Sequence, residues 1–281
     1  MLRRLFLNRA AAALAGLAVF AGLAGHVAAS DRYIVVGSTT STQDSGLFGW
    51  LLPAFTKASG IEVRIVAKGT GEAIKLGQSG DADVLLVHDP KSEAQFVANG
   101  YGVKRFAFMY NDFVIVGPKA DPAHIAGEGN VIDAMKKIAS SGALFASRGD
   151  DSGTNKAELR LWKAAGIDPK PGSGKWYLET GSGMGATLNT AVGKAAYTLS
   201  DRATWLAFQN KADFDVMVQG DKALLNQYGV ILVNPARFPS VKVKDGQAFI
   251  DWLISPEGQK AIADFHIGGQ QVFFPNYTPG Q

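Results

Sequence analysis

The sequence predicts a parallel α/β fold, and three observations carry that expectation. Short apolar runs alternate with helical stretches from Tyr33 onward. Several of these runs end in a glycine- and hydroxyl-rich loop that opens the next helix, the position where open α/β sheets bind ligands. A chain of 281 residues with no cysteine must also rest on a sizeable buried core without disulfides. Its composition, 47% hydrophobic and 19% charged, is that of an ordinary globular protein.

Residues 1–30, "MLRRLFLNRAAAALAGLAVFAGLAGHVAAS", stand apart from the fold. A basic start (Arg3, Arg4, Arg9), an apolar stretch and a small-residue end predict a secretory signal peptide cut after Ala29 or Ser30. The apolar stretch is too short and too interrupted by glycine for a membrane anchor. The arginine pair is similar to a twin-arginine signal, but Leu2 stands where a small polar residue is usual, so both export routes stay open. The whole chain has 28 basic and 25 acidic residues; the leader holds three arginines and no acids, so the remainder is formally neutral. A nucleic-acid surface is therefore not expected. Without a cysteine at the cleavage site there is no lipid tether, and a soluble periplasmic monomer is expected.

The elements follow in order. "YIVVGS" reads as a buried strand and "SGLFGWLLPAFTKASG" as a helix stopped at Gly60. "IEVRIVAKG" alternates like a strand, "GEAIKLGQSG" is a short helix, "DVLLV" a strand and "KSEAQFVANG" a helix. "DFVIVGP" is a strand closed by Pro118. The helix "VIDAMKKIASSG" sets Val131, Ile132, Met135, Ile138 and Ala139 on one face. "ALFAS" is a strand leading into "SRGDDSGT", and "NKAELRLWKAAG" is the helix after it. "KWYLET", "AAYTLS", "FDVMVQ" and "YGVILVNP" are strands, and the last stretch, from Gly246, reads as two helices. No linker interrupts the chain; if there are two lobes, "NDFVIVGP" and "YGVILVNPARFP" are the candidate crossing strands.

Three strand-to-helix loops share one chemistry: "GSTTST" (37–42), "KGTGEA" (68–73) and "SRGDDSGT" (147–154). Each places hydroxyls and free backbone N–H groups at a helix N-terminus, where unsatisfied donors and the helix dipole favour an anion. Arg148 adds a fixed, always-charged fork that can bond two oxygens of a tetrahedral anion. Taken singly, such residues are helix caps; three together, one with an arginine, point to an oxyanion site. Asp150 and Asp151 then act behind the ligand, one bonding Arg148 and the other capping the helix near Ser152.

Other signals lead elsewhere. "GSGMGA" (181–186) matches the dinucleotide pattern G-x-G-x-x-G/A, with Asp201 twenty residues on; this supports an exported dinucleotide-dependent enzyme as an alternative, although "SDRATW" reads more naturally as a helix cap. "PGSGKW" has Pro169 and Trp176 where a P-loop needs glycine and Ser/Thr. His88, His124 and His266 show no metal-ligand spacing, no G-x-S-x-G is present, and no metal or cofactor is expected. Met184 reads as packing.

"STTSTQDSGL", "DVLLVHDPKSE", "RGDDSGTNKAE" and "GSGMGATLNTA…AYTLSDRATW" together resemble the periplasmic tungstate-binding proteins of ABC-type importers (TupA-type), over essentially all of the chain after the leader. The R-x-x-x-S-G-T spacing at Arg148 is also similar to that of periplasmic phosphate-binding proteins. The resemblance implies a two-lobed type II periplasmic binding protein fold, each lobe a mostly parallel sheet flanked by helices, joined by a two-stranded hinge. It implies a first lobe of residues 31–112 plus 232–281 and a second of 113–231. The implied function is capture of tungstate, or molybdate, for a membrane permease, and not catalysis. The implied ligand-binding residues are Thr39, Thr40, Ser41, Thr70 and Gly71 from one lobe and Arg148, Ser152, Gly153 and Thr154 from the other. Ser38 stands where the family's first threonine falls and keeps the hydroxyl. Phosphate carries a proton at neutral pH and profits from a facing carboxylate, which would repel a fully deprotonated anion. The phosphate family's acceptor position falls on His88, with Asp89 beside it, so phosphate or sulfate on the same scaffold remains an alternative.

Overall fold

The structure is a computed structural model and describes residues 32–279; the signal-peptide expectation for 1–30 lies outside the described residues. The elements run β1 (Tyr33–Thr39), α1 (Thr40–Asp44), α2 (Leu47–Ser59), β2 (Glu62–Lys68), α3 (Thr70–Ser79), β3 (Val84–Val87) and α4 (Pro90–Ala98). They continue β4 (Gly102–Pro118), α5 (Val131–Ser141), β5 (Phe145–Ser147), α6 (Gly153–Ala164), β6 (Tyr177–Glu179), α7 (Met184–Lys194), β7 (Tyr197–Asp201) and α8 (Arg202–Ala207). The chain closes with β8 (Phe214–Val218), β9 (Leu225–Val233), α9 (Val243–Ile254), α10 (Pro256–Ala263) and the short β10 (His266–Ile267), β11 (Gln270–Gln271) and β12 (Phe274–Pro275).

Among the described residues the main sheet follows the order β2-β1-β3-β9-β4-β7-β5-β6, with β8 and β12 paired to β4. Its two wings are parallel, as the alternating pattern requires: β1 with β2 and β3, β5 with β6 and β7. The middle is antiparallel, because β4 and β9 run in opposite directions. The first part of β4, up to Asp112, pairs with β9; from Phe113 onward it pairs with β7 and β8. One strand thus serves both sheets, and a 17-residue β4 replaces the short strand expected at 112–118.

Separate cores lie on the two sides of that crossing. Ile34, Val36, Leu85, Phe55, Phe249 and Val230 belong to one apolar cluster, beneath α2 and α9. Beyond the crossing β4 alternates: Phe113 and Ile115 enter one cluster with Trp162 and Tyr177, Val114 and Val116 another with Met184 and Leu188. No helix among the described residues is long and apolar enough to cross a membrane.

Candidate anion-binding site

The first loop turns straight from β1 into α1. Thr39 caps that helix, its Oγ1 accepting from the Thr42 N–H at 3.3 Å. Thr40 is half-buried, and its Oγ1 accepts from Arg148 Nη2 at 3.1 Å, which leaves its O–H free to donate. Ser41 is buried, its Oγ 3.2 Å from His88 Nε2. The other ring nitrogen of His88 lies 3.0 Å from Asn226 Oδ1, and Asn226 donates to Asn111 Oδ1 at 2.7 Å. The ring stacks on Tyr228 at 4.9 Å. Burial pushes His88 down to about 4, against the help of the Asn226 bond, so it stays neutral near pH 7. Both nitrogens are engaged; His88 positions Ser41.

The second loop reaches α3 through Gly69. Thr70 is buried, and its Oγ1 has no hydrogen-bond partner. Gly71 departs from its expected role as an anion donor: its N–H goes to the Asp151 carbonyl at 3.2 Å, joining the two loops directly.

The third loop carries the charge. Arg148 is only 2% exposed, and its Nη2 donates to Asp150 Oδ2 at 2.6 Å. Nε and Nη1 are buried without partners. The other oxygen of Asp150 accepts from the Ser152 N–H at 3.2 Å, so one carboxylate both orients the guanidinium and shapes the turn. Asp151 is elsewhere: its side chain, 67% exposed, pairs with Lys156 at 3.0 Å. Capping of α6 falls to Ser152, whose Oγ accepts from the Asn155 N–H at 3.1 Å, because Asp151 sits in the left-handed region (φ 57) with its carboxylate turned to solvent. Gly153 is a second close approach between the loops. A Cβ there would lie 2.7 Å from His88 Cε1 and 2.9 Å from Thr70 Oγ1, so any other residue would force them apart. Thr154 follows, buried, its Oγ1 without a partner.

Helix N-termini therefore converge from both sides of the crossing strands, and orphaned donors from Thr70, Arg148 and Thr154 are left where they meet. Buried polar atoms in folded proteins are nearly always satisfied, so such a cluster calls for a ligand. Its donor chemistry suits an anion. Asp89, adjacent to His88, caps α4 and bonds both Ser92 and Arg160.

Sequence reasoning missed several contributors. Asn111 and Asn226 are polar interruptions of apolar strands, which is their only sequence signal. Arg160 reaches Asp89 at 2.7 Å from a partner 71 residues away, which no local pattern reveals. Asp201 is the helix cap that "SDRATW" predicts, accepting from the Thr204 N–H at 2.9 Å. β5 lies between β6, which leads into the Gly181 loop, and β7, which Asp201 ends, so this acid is not on the strand next to that loop, and Gly183 opens α7 beside Thr40. The dinucleotide alternative fails on this geometry. Met184 is packing, fully buried. Among the described residues no group of three or more His, Asp and Glu side chains is arranged to hold a metal ion.

Two α/β lobes sharing crossing strands, with helix N-termini facing one another, define a solute-binding protein of the periplasmic binding protein class. Residues 25–257 match the PBP superfamily domain. The tungstate-binding protein TupA of Peptoclostridium acidaminophilum is 44% identical over 248 residues, 88% of this chain and 85% of the relative. TupA of Campylobacter jejuni is 37% identical over 237 residues, 83% of this chain and 87% of the relative. Among solved structures, the tungstate-binding protein TupA of Desulfovibrio alaskensis G20 aligns with a TM-score of 0.75 at 46% identity, covering 88% of this chain and 100% of that one. The tungstate ABC transporter structure from Geobacter sulfurreducens aligns with a TM-score of 0.77 at 49% identity, covering 84% and 100%. The chain belongs to the PBP superfamily and, within it, to the TupA family of binding proteins, which are not enzymes.

Proposed function

We propose that this protein captures tungstate, or the similarly sized molybdate, in the periplasm and delivers it to the membrane permease of an ABC importer. The observation that carries the reading is the buried Arg148 guanidinium with two unpartnered nitrogens, together with the unpartnered hydroxyls of Thr70 and Thr154. The relatives named for tungstate binding supply the choice of anion. Thr39, Thr40, Ser41 and Thr70 form one wall, and Arg148, Ser152, Gly153 and Thr154 the other, with Asp150 behind Arg148. Closing such walls replaces the anion's water by fixed donors and presents a closed face to the permease.

For the lobes we propose residues 32–112 with 225–279, and 113–224; the pairing of β9, from Leu225, with β3 and the first part of β4 supports a boundary at 224 rather than the expected 231.

A second reading, hydrogen phosphate as ligand, is favoured by one observation: Asp201 Oδ2 is buried with no partner, an available acceptor for a ligand proton. Calorimetric titration of the mature protein with tungstate, molybdate, sulfate and phosphate separates the readings. Tight tungstate binding with weak phosphate binding is expected. Tight phosphate binding without tungstate binding overturns the first reading.

A further inference from the structure

A carboxyl group stands where a deprotonated anion should not tolerate one. Asp201 ends β7 opposite Phe113 of β4, at the crossing, and is 0% exposed. One oxygen accepts from the Thr204 N–H; the other, Oδ2, has no partner. Thr204 in turn donates from its hydroxyl to the Ser41 carbonyl at 3.3 Å, which sets Asp201 against the first anion loop. Arg148 acts electrostatically on Asp201 yet pairs with Asp150 instead. A buried carboxyl oxygen and a buried guanidinium edge thus both stand open without bonding each other. A ligand between them would satisfy both.

We propose that Asp201 is a specificity-determining residue of the anion site: as a fully deprotonated tetrahedral oxyanion enters, its carboxylate takes one proton from solvent and donates the resulting O–H to a ligand oxygen. This rests on the anion-binding reading above. It resolves the conflict between donor-only chemistry and a buried acid, because a protonated carboxyl is a donor.

The charged and titratable groups around Asp201 agree with this. Burial raises its carboxyl to about 6; the Thr204 N–H bond and Arg148 oppose the rise, and Asp44 on α1 adds to it. Asp44 is itself raised by burial, against the pull of Arg148. Tyr228 on β9 is pushed further up by burial and by Asp201, and stays neutral. Arg202, next along α8, is committed to Asp112 on β4 at 2.6 and 2.8 Å. His88 is neutral and has no proton to give in this range. A dianion placed beside Asp201 raises its proton affinity again.

The sign follows from linkage. Above pH about 6 the free protein has lost the proton and the complex keeps it, so affinity falls as pH rises, by about tenfold per pH unit while the complex stays protonated. Hydrogen phosphate brings its own proton and needs no uptake.

The test is calorimetry of the mature protein with sodium tungstate at pH about 7 to 8.5, in two buffers of different ionisation enthalpy. Uptake approaching one proton per anion and the stated loss of affinity with pH are expected. In Asp201→Asn, whose amide keeps both the α8 cap and an N–H donor, uptake is lost and the pH profile flattens. In Asp44→Asn uptake persists. Tight tungstate binding by the wild type with no proton uptake overturns the proposal and spares the functional reading. Uptake that survives Asp201→Asn, or vanishes in Asp44→Asn, also overturns it. A wild-type protein that binds none of the oxyanions overturns both.

Discussion

The two walls proposed for the anion site differ in their chemistry. The wall built from the loops after β1 and β2 carries hydroxyls, and the histidine behind it, His88, is neutral and bonded at both ring nitrogens. The wall after β5 carries a full charge, Arg148, whose counter-ion Asp150 is a residue of its own loop. The difference teaches where rigidity is needed. A hydroxyl wall can be aimed by neutral contacts, here a chain from Asn111 and Asn226 on the crossing strands through His88 to Ser41. A buried cation needs a fixed carboxylate to survive without ligand.

The strongest way to break that contrast is to neutralise the charged wall. Arg148→Gln is expected to weaken oxyanion binding by about 2 kcal/mol or more, the loss of a charged donor in a buried site. Calorimetry with tungstate reads it directly. Unchanged affinity would make Arg148 a structural residue held by Asp150 and Thr40.

The parts of this site that sequence reveals are the ones encoded locally. A strand, a Gly/Ser/Thr loop and a helix start lie within about ten consecutive residues, so Thr40, Thr70, Arg148 and Thr154 are legible as donors at helix N-termini. Asp150 is legible because it is two residues from the arginine it holds. Asp201 is only half legible: its cap role is local, whereas its open Oδ2 depends on Arg148 and Asp44 from other elements. The same limit hid the length of β4. Residues 102–111, "GVKRFAFMYN", mix basic and aromatic residues and pair with a strand more than a hundred residues on, so no period betrays them. Helix α1 was missed because "TSTQD" has no apolar face; Thr39 and its cap bond hold it.

A second way to sharpen the contrast is to trim the neutral wall. Ser41→Ala removes one uncharged hydroxyl and leaves a His88 nitrogen unpaired. It is expected to cost about 1 kcal/mol of binding, roughly fivefold in Kd. A loss as large as that in Arg148→Gln would show that the hydroxyl wall, not the charge, dominates recognition.

The smallest expected effect concerns how the walls are kept together. Besides the proposed anion contacts, α6 and the loop before it reach the opposite lobe through the Arg160–Asp89 pair at 2.7 Å and the Gly71 N–H to Asp151 carbonyl bond. Asp89 is nearly buried and stays ionised: burial works against its charge, but Ser92 and Arg160 outweigh it and hold its pKa below the usual value. Arg160 is 52% exposed, so solvent screens the pair and its worth is about 0.5 kcal/mol. If the pair forms only when the walls meet, Arg160→Gln leaves the association rate of tungstate unchanged and speeds dissociation about twofold, seen by stopped-flow tryptophan fluorescence. Asp89→Asn keeps the α4 cap and should add nothing in the Arg160→Gln background, since both changes break one interaction. A slower association rate in Arg160→Gln would instead make the arginine an attractor for the incoming anion. The charged wall would then extend beyond Arg148 to the outer face of α6.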